Sequence, residues 1–544
     1  MFSVPVDANA AFIGKTFLII DDFQGMRTMM REMLRTFGVK NIDAATTGNE
    51  AVSYLEKNKY DVVLCDFNLG PGKNGQHILE EAKYRTLIGP STAWIIVTAE
   101  KTPDMIFGAA EYMPDDYILK PVNEATMRSR LEKVITRKGT LVDIEQAMRA
   151  KDYPRAVALC DKVMATNKTN TTELQRIKTS TLLSTGQHDL AKQAFEEILS
   201  KRDIPWAKTG LGKVAFYKND VARAQQLFRE VINQNSAYLE AHDWVAKCHE
   251  AAGELEETQR VLVRCTELSP HSVLRQRSLG EVGHKRGDLD TAEKAFRKTI
   301  KLGEFSVHKS PDPYFGLAKV CSKKNNSAEA LQILKHVHKE FATPEVALQA
   351  KVAEGTIYRE AGDHMNAGKV SKEVAELIRT DGNKSPTCVL LEAAQLFLAT
   401  GNKEAAESLT KTIVQNNHEN AELLEQVNEL YNQAGFQDTG EELVNKSKQE
   451  VIELNNQGVL LAKEGKLDEA IRLLSDARTL LPNNKRIMIN LVNMCVLSMR
   501  QNGRSDYLMQ LARECLERVA KLDRQEEWCA QVRVALDAIA AQSG

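Results

Sequence analysis

The stretch TFLIIDDFQGMRTMMREML (16–34) decides how the first quarter of the chain folds. A five-residue apolar run rich in β-branched residues stops at two adjacent carboxylates, Asp21 and Asp22, and an amphipathic helical pattern follows. That is a strand, a loop and a helix in immediate succession. Working outward, the runs DVVLC (61–65), AWIIV (93–97) and YIL (117–119), with a weaker NIDAA (41–45), repeat the alternation as far as about Lys138. Five short strands alternating with helices predict a parallel sheet with helices on both faces.

Loops converge at the carboxyl ends of the strands in such a sheet, so the residues that follow each strand are the candidates for chemistry. They are Asp21 and Asp22, then Asp66, Thr98 and Lys120 followed by Pro121. A single aspartate after a strand is most often a helix cap or a turn residue. Three carboxylates meeting at one edge are different, because they repel unless a hard cation neutralises them, and oxygen donors suit Mg²⁺. With that charge balanced, a carboxylate can attack phosphorus while a lysine and a hydroxyl neutralise the transferring phosphoryl oxygens.

This set resembles the receiver domain of bacterial response regulators over residues 15–138, through the acidic pair, DFN (66–68), VTAE (97–100) and YILKP (117–121). The resemblance implies a flavodoxin-like doubly wound α/β sheet of strand order 2-1-3-4-5, with Asp66 as phosphoacceptor. It implies Mg²⁺ held directly by Asp22 and Asp66 and by the carbonyl of Asn68, with Asp21 acting through water. Lys120 would pair with phosphoryl oxygens, Thr98 would hydrogen-bond to one, and Tyr117 would be the switch aromatic. Asn68 and Glu100 stand where members of this family modulate access of hydrolytic water. The loop NLGPGKNG (68–75) departs from the family by being one residue longer than the commonest spacing.

Beyond Thr140 the pattern is helical and periodic. Lys151, Gly186, Asn219, Gly253, Gly287, Asn325, Gly362, Gly401, Gly435 and Gly465 are each followed five positions later by a small residue, at a mean spacing of about 35. A left-handed turn ending one helix, with a small residue admitting the next, explains this as stacked helical hairpins. The period, Leu211-Gly212, Leu279-Gly280, the aromatics Phe195, Phe228 and Phe296, and the prolines Pro270 and Pro482 resemble the tetratricopeptide repeat family. That resemblance implies an all-α superhelix over 141–484, closed by capping helices over 485–544, after a tail at 1–14. Its concave groove would present Trp206, Lys213, Tyr217, Lys247 and Arg277.

With 544 residues, one core is excluded, and 43% hydrophobic with 27% charged residues excludes general disorder. Lys+Arg of 72 against Asp+Glu of 74 gives no global field for nucleic acid. The nine cysteines are nowhere closer than about 14 residues and read as free thiols in a reducing compartment. No secretory leader and no run of about 18 apolar residues is present, which leads to the expectation of a cytoplasmic protein. No output-enzyme motif follows residue 140. The expected function is a two-component response regulator that accepts a phosphoryl group on Asp66 from a sensor histidine kinase or phosphotransfer protein and changes what its repeats hold. The alternatives are a regulator that restrains or competes for its kinase and, less favoured, a DNA-binding regulator.

Overall fold

Parallel pairing dominates the N-terminal part of the computed structural model, which describes residues 9–99, 114–166, 170–381, 385–522 and 527–541. Strands β1 (Thr16–Ile20), β2 (Asn41–Ala45), β3 (Val62–Cys65), β4 (Ala93–Thr98) and β5 (Asp116–Leu119) form one sheet. Its order is β2-β1-β3-β4-β5, and every pairing is parallel. Side chains alternate faces along each strand. Phe17, Ile19, Leu64 and Ile95 therefore pack with Met30 and Leu34 of α1 (Gln24–Thr36) and with Met127 and Leu131 of α4 (Glu124–Gly139). Leu18, Ile20, Val63 and Trp94 pack on the other face with Val52 of α2 (Gly48–Lys57) and Ile78 of α3 (Gly75–Tyr84). Burial on both faces is why these strands read as continuous apolar runs.

Twenty-two further helices follow among the described residues, α5 (Val142–Arg149) to α26 (Glu527–Ala541). Only Thr140 and Leu141 separate α4 from α5. All ten turn positions of the periodic pattern are left-handed, including Lys151 (φ 58°), Asn219 (φ 63°) and Asn325 (φ 60°). The small residues five positions on are buried throughout, Ala191, Ala224 and Ala292 completely. Close helix approach accounts for the Leu-Gly pairs: a Cβ on Gly212 would lie 2.5 Å from the Phe228 ring, and one on Gly280 would lie 2.7 Å from the Phe296 ring.

The chain divides into two compact units, Met1–Val320 and Cys321–Gly544. In the second, the short spacing between Gly440 and Ala470 has a structural cause. The second helix of one hairpin continues without a break into the first helix of the next, giving the 27-residue α22 (Gln437–Lys463). The C-terminal helices α24 (Lys485–Asn502), α25 (Asp506–Leu522) and α26 build a large apolar cluster around Leu491, Cys495, Leu516 and Val519. Among the described residues no helix is long and apolar enough to cross a membrane.

Candidate functional site

Three charged residues at the carboxyl edge of the sheet are held by extending a strand ladder one step. The Asp66 N–H donates to Ile20 O at 2.7 Å, the Asp21 N–H to Ala45 O at 3.2 Å, and the Lys120 N–H to Thr98 O at 2.8 Å. These bonds bring together residues from three strands. Lys120 Nζ then bridges Asp21 Oδ2 at 2.9 Å and Asp66 Oδ2 at 2.6 Å. Asp21 is fully buried, Asp66 is 9% exposed and Asp22 faces solvent.

Asp21, Asp22 and Asp66 each offer a carboxylate oxygen, and the three oxygens lie within 4.8 Å of one another. One ammonium against three carboxylates leaves the cluster short of two positive charges. Arg27 does not supply them here, since its guanidinium donates to the backbone carbonyls of Asp21 and Asp22 at 2.7 and 2.9 Å. A hard donor set with a deficit of two charges fits a divalent ion such as Mg²⁺. Burial pushes the Asp66 carboxyl above its ordinary value, against the pull of Lys120. Burial alone would lower the Lys120 ammonium, but the two carboxylates outweigh it and hold it above its ordinary value.

The long loop after Asp66 absorbs its extra residue through two left-handed glycines, Gly70 (φ 72°) and Gly72 (φ 109°). Asn68 Oδ1 accepts from the Gly70 N–H at 3.3 Å. Asn74 caps α3, accepting from the His77 N–H at 2.9 Å while His77 Nδ1 accepts from the Asn74 N–H. At its far end Gly75 touches the site itself: a Cβ there would lie 2.3 Å from Asp66 O. Thr98 is buried at the end of β4, opposite Leu119 in the ladder. Tyr117 packs against the apolar face beneath α2 and α3, its hydroxyl buried without a hydrogen-bond partner among the described residues and its pKa pushed up to about 12 by burial. Glu100 lies outside the described residues.

The five groove candidates on the repeats are not alike. Trp206 is half-buried, its ring edge-on to Phe195 and under the Arg176 guanidinium at 5.1 Å. Arg277 lies 3.6 Å from Glu281 on the same helix. Lys213, Tyr217 and Lys247 instead gather around Trp244, with the two ammonium groups 5.5 and 4.2 Å from its ring centre and Tyr217 edge-on at 5.8 Å. Sequence reasoning missed Trp244 because it lies on the next hairpin, and no short spacing joins it to Tyr217.

Contacts between the sheet domain and the repeats were also missed. Lys138, 9% exposed at its side chain, pairs with Asp115 at 2.8 Å and with Glu173 of α7 (Thr171–Ser184) at 2.9 Å. Glu145 accepts from the Ser91 hydroxyl at 2.6 Å and the Ser91 N–H at 2.9 Å. Glu80 of α3 accepts from Ser306 Oγ at 3.1 Å and lies 3.4 Å from His308 Nε2. The signal for such contacts is weak in a sequence, since Glu80 and Ser306 are 226 residues apart.

The family model described as the response regulator receiver domain matches residues 17–132. Chemotaxis protein CheY-3 of Vibrio cholerae is 33% identical over 126 residues, 22% of this chain and 91% of that protein. Chemotaxis protein CheY of Pseudomonas aeruginosa is 30% identical over 120 residues, 22% of this chain and 95% of that protein. Among solved structures, Vibrio cholerae CheY4 aligns at 22% identity and a TM-score of 0.21, covering 22% of this chain and 98% of its own. A CheY-like receiver domain protein from Methanospirillum hungatei aligns at 24% identity and the same TM-score, covering 23% and 96%.

Proposed function

Because the chain belongs to the response regulator receiver family through residues 17–132, we propose that it is a phosphorylation-dependent interaction protein. The receiver at 15–138 takes a phosphoryl group from the phosphohistidine of a sensor kinase or phosphotransfer protein. A tetratricopeptide array at 141–484, closed by the helices of 485–544, carries the output by holding another protein. The observation that carries this reading is Lys120 bridging Asp21 and Asp66 beside Asp22, at the edge where the loops converge.

In the reaction, an Asp66 carboxylate oxygen attacks phosphorus, the phosphorus–nitrogen bond breaks, and the departing imidazole keeps the electron pair and takes up a proton. Lys120 neutralises a phosphoryl oxygen, and the Thr98 hydroxyl donates to another. Asp21, Asp22, Asp66 and the Asn68 carbonyl would hold Mg²⁺, which supplies charge neutralisation to the transferring group. A reducing cytoplasm, where the kinase's phosphohistidine is found, is the compartment this reading requires. The array reading is supported by the ten left-handed turns and the buried small residues. Within it, Lys213, Tyr217 and Lys247 around Trp244 suit an acidic peptide segment, and Trp206 and Arg277 would flank it.

Intact mass after incubation with Mg²⁺ and acetyl phosphate tests the receiver reading. One phosphoryl adduct is expected on the wild type and none on Asp66→Ala. An adduct on both, or on neither even with a histidine phosphodonor, would overturn it.

A further inference from the structure

One connection in the first unit is longer than its neighbours. Successive hairpins are joined by four residues at 235–238 and at 269–272, but α14 (Leu289–Gly303) and α15 (Asp312–Lys323) are joined by eight, at 304–311. The extra chain is tied down. The Ser306 N–H donates to Gly303 O at 3.2 Å, the Lys309 N–H to Ser306 O at 3.2 Å and the His308 N–H to Ser306 Oγ at 3.1 Å. Ordering a backbone costs about 1–2 kcal/mol per residue, so a contact must offset it.

That contact is made on α3 of the sheet domain. Ser306 Oγ donates to Glu80 Oε2 at 3.1 Å, and His308 Nε2 lies 3.4 Å from Glu80 Oε1. The His308 ring also meets the Tyr84 ring edge-on, with centroids 5.0 Å apart. Glu80 and Ser306 are each only 6% exposed. A carboxylate is rarely buried so far, and burying one without partners is costly. The hydroxyl and imidazole of the loop meet both of its oxygens.

Helix α3 leads directly back to Asp66. Glu80 stands five residues after Gly75, about 7.5 Å along the helix axis. Gly75 abuts Asp66 O, where a Cβ would lie 2.3 Å away, and its N–H donates to Phe67 O at 2.8 Å. Three residues before Glu80 and on the same side of the helix, His77 Nδ1 accepts from the Asn74 N–H at 3.2 Å, which ties the first turn to the end of the Asp66 loop. Burial holds the His77 imidazole below its ordinary value despite the Glu80 charge, and only the neutral ring can accept. Ile78 and Leu79 pack α3 onto the sheet. Such packing is non-directional and resists sliding along the helix axis weakly, whereas hydrogen bonds at Glu80 are directional and fix that coordinate.

We propose that Ser306 and His308, supplied by the repeats, are positioning residues for the phosphoacceptor: by holding Glu80 they fix the axial position of α3, and with it the seat of Asp66 against Gly75. The inference rests on the receiver reading of Asp66. It makes phosphoryl acceptance a joint property of the receiver and the array, and a partner that drew the 304–311 loop away from α3 would slow it.

The test follows phosphorylation of the full chain by acetyl phosphate and Mg²⁺, read by intact mass over a range of acetyl phosphate concentrations. A displacement of about 1 Å at a reacting group costs on the order of 100-fold in rate, so a partial shift of α3 is expected to cost about tenfold. Ser306→Ala and His308→Ala should each lower the rate at saturating acetyl phosphate by that factor and leave the half-saturating concentration unchanged. Glu80→Ala should do the same, and Glu80→Ala combined with Ser306→Ala should lose no more, because both act through one contact. A purely structural role would instead reduce the fraction of chains that accept a phosphoryl group, at an unchanged rate for those that do. Circular dichroism identifies a misfolded variant, and the Ser306 and His308 substitutions are separate enough that one misfolded variant leaves the other decisive. A wild type that takes no phosphoryl group overturns the receiver reading and this proposal with it. A wild type that takes one, with folded Ser306→Ala or His308→Ala at the wild-type rate or with additive losses in the double variant, overturns this proposal alone.

Discussion

Replacing Gly75 by alanine adds one methyl group to the first residue of α3, and the space for it is already taken. The new Cβ would lie 2.3 Å from Asp66 O, 3.0 Å from Cys65 Sγ and 3.1 Å from Phe67 Cα. Carbon atoms pack comfortably at about 3.5–4.0 Å, so even a tight carbon–oxygen contact requires a retreat of roughly 1 Å. Two of the three neighbours are backbone atoms that cannot swing aside. They are also tied down, because the Asp66 N–H is bonded to Ile20 O at 2.7 Å and the Gly75 N–H to Phe67 O at 2.8 Å. Overpacking of this kind costs about 1–3 kcal/mol, and a backbone clash belongs at the upper end. A displacement of about 1 Å at a reacting group costs on the order of 100-fold in rate. The expected result is therefore a loss of about 3 kcal/mol in the opening free energy of β1 and β3 amides by hydrogen exchange. Phosphorylation of Asp66 by acetyl phosphate should slow about 100-fold, followed by intact mass. Wild-type protection together with a wild-type rate would refute the argument that Gly75 is fixed by the position of Asp66.

Three other perturbations test separate parts of the molecule. Tyr117→Phe removes a buried hydroxyl that has no partner among the described residues; it should leave stability unchanged or raise it by about 1 kcal/mol in hydrogen exchange of β5, and a clear loss would mean that the hydroxyl is bonded. Glu145 is raised by burial but held below the ordinary glutamate value by its bonds from Ser91 and by Arg149. Its contribution is thus fully present above about pH 4.3 and lost as pH falls through the lower folded value. The Tm difference between wild type and Glu145→Gln should shrink as pH drops from 6 to 3 (on the order of 1 kcal/mol at the start), and a difference that grows would contradict the sign. Gly368→Ala, in the second turn of α18 (His364–Asp381) with nothing within 4 Å of the added Cβ, should stabilise the second unit by up to about 1 kcal/mol in denaturant melts; destabilisation would show that the helix needs a glycine there.

Strand identity was legible because a sheet buried on both faces writes itself as uninterrupted apolar runs, such as DVVLC, whereas the strand order followed only from the resemblance to receiver domains. The residues Asp21, Asp66 and Lys120 were legible for a related reason, as each stands one step beyond such a run and inherits its position from the ladder, with Asp22 the next residue after Asp21. The hairpin turns were equally plain, even at Lys151, where a lysine adopts the left-handed conformation that glycine usually takes. What the sequence hid were pairings between distant segments. Glu145 with Ser91, Lys138 with Glu173 and Glu80 with Ser306 have no periodicity to betray them, and their residue types are those of ordinary solvated surface. Trp244 was hidden differently, as a core aromatic in the sequence that becomes the centre of a cationic and aromatic cluster only once two hairpins stack.

Helix α22 gives the second unit a property its other joints lack. Where hairpins are separated by a turn, an added residue can be taken up locally. Within the 27 uninterrupted residues of Gln437–Lys463 there is no slack. Each inserted residue advances everything beyond it by about 1.5 Å and rotates it by about 100°. The count of residues there works as a screw thread, and chain length in that segment is under a geometric constraint that side-chain chemistry alone does not impose.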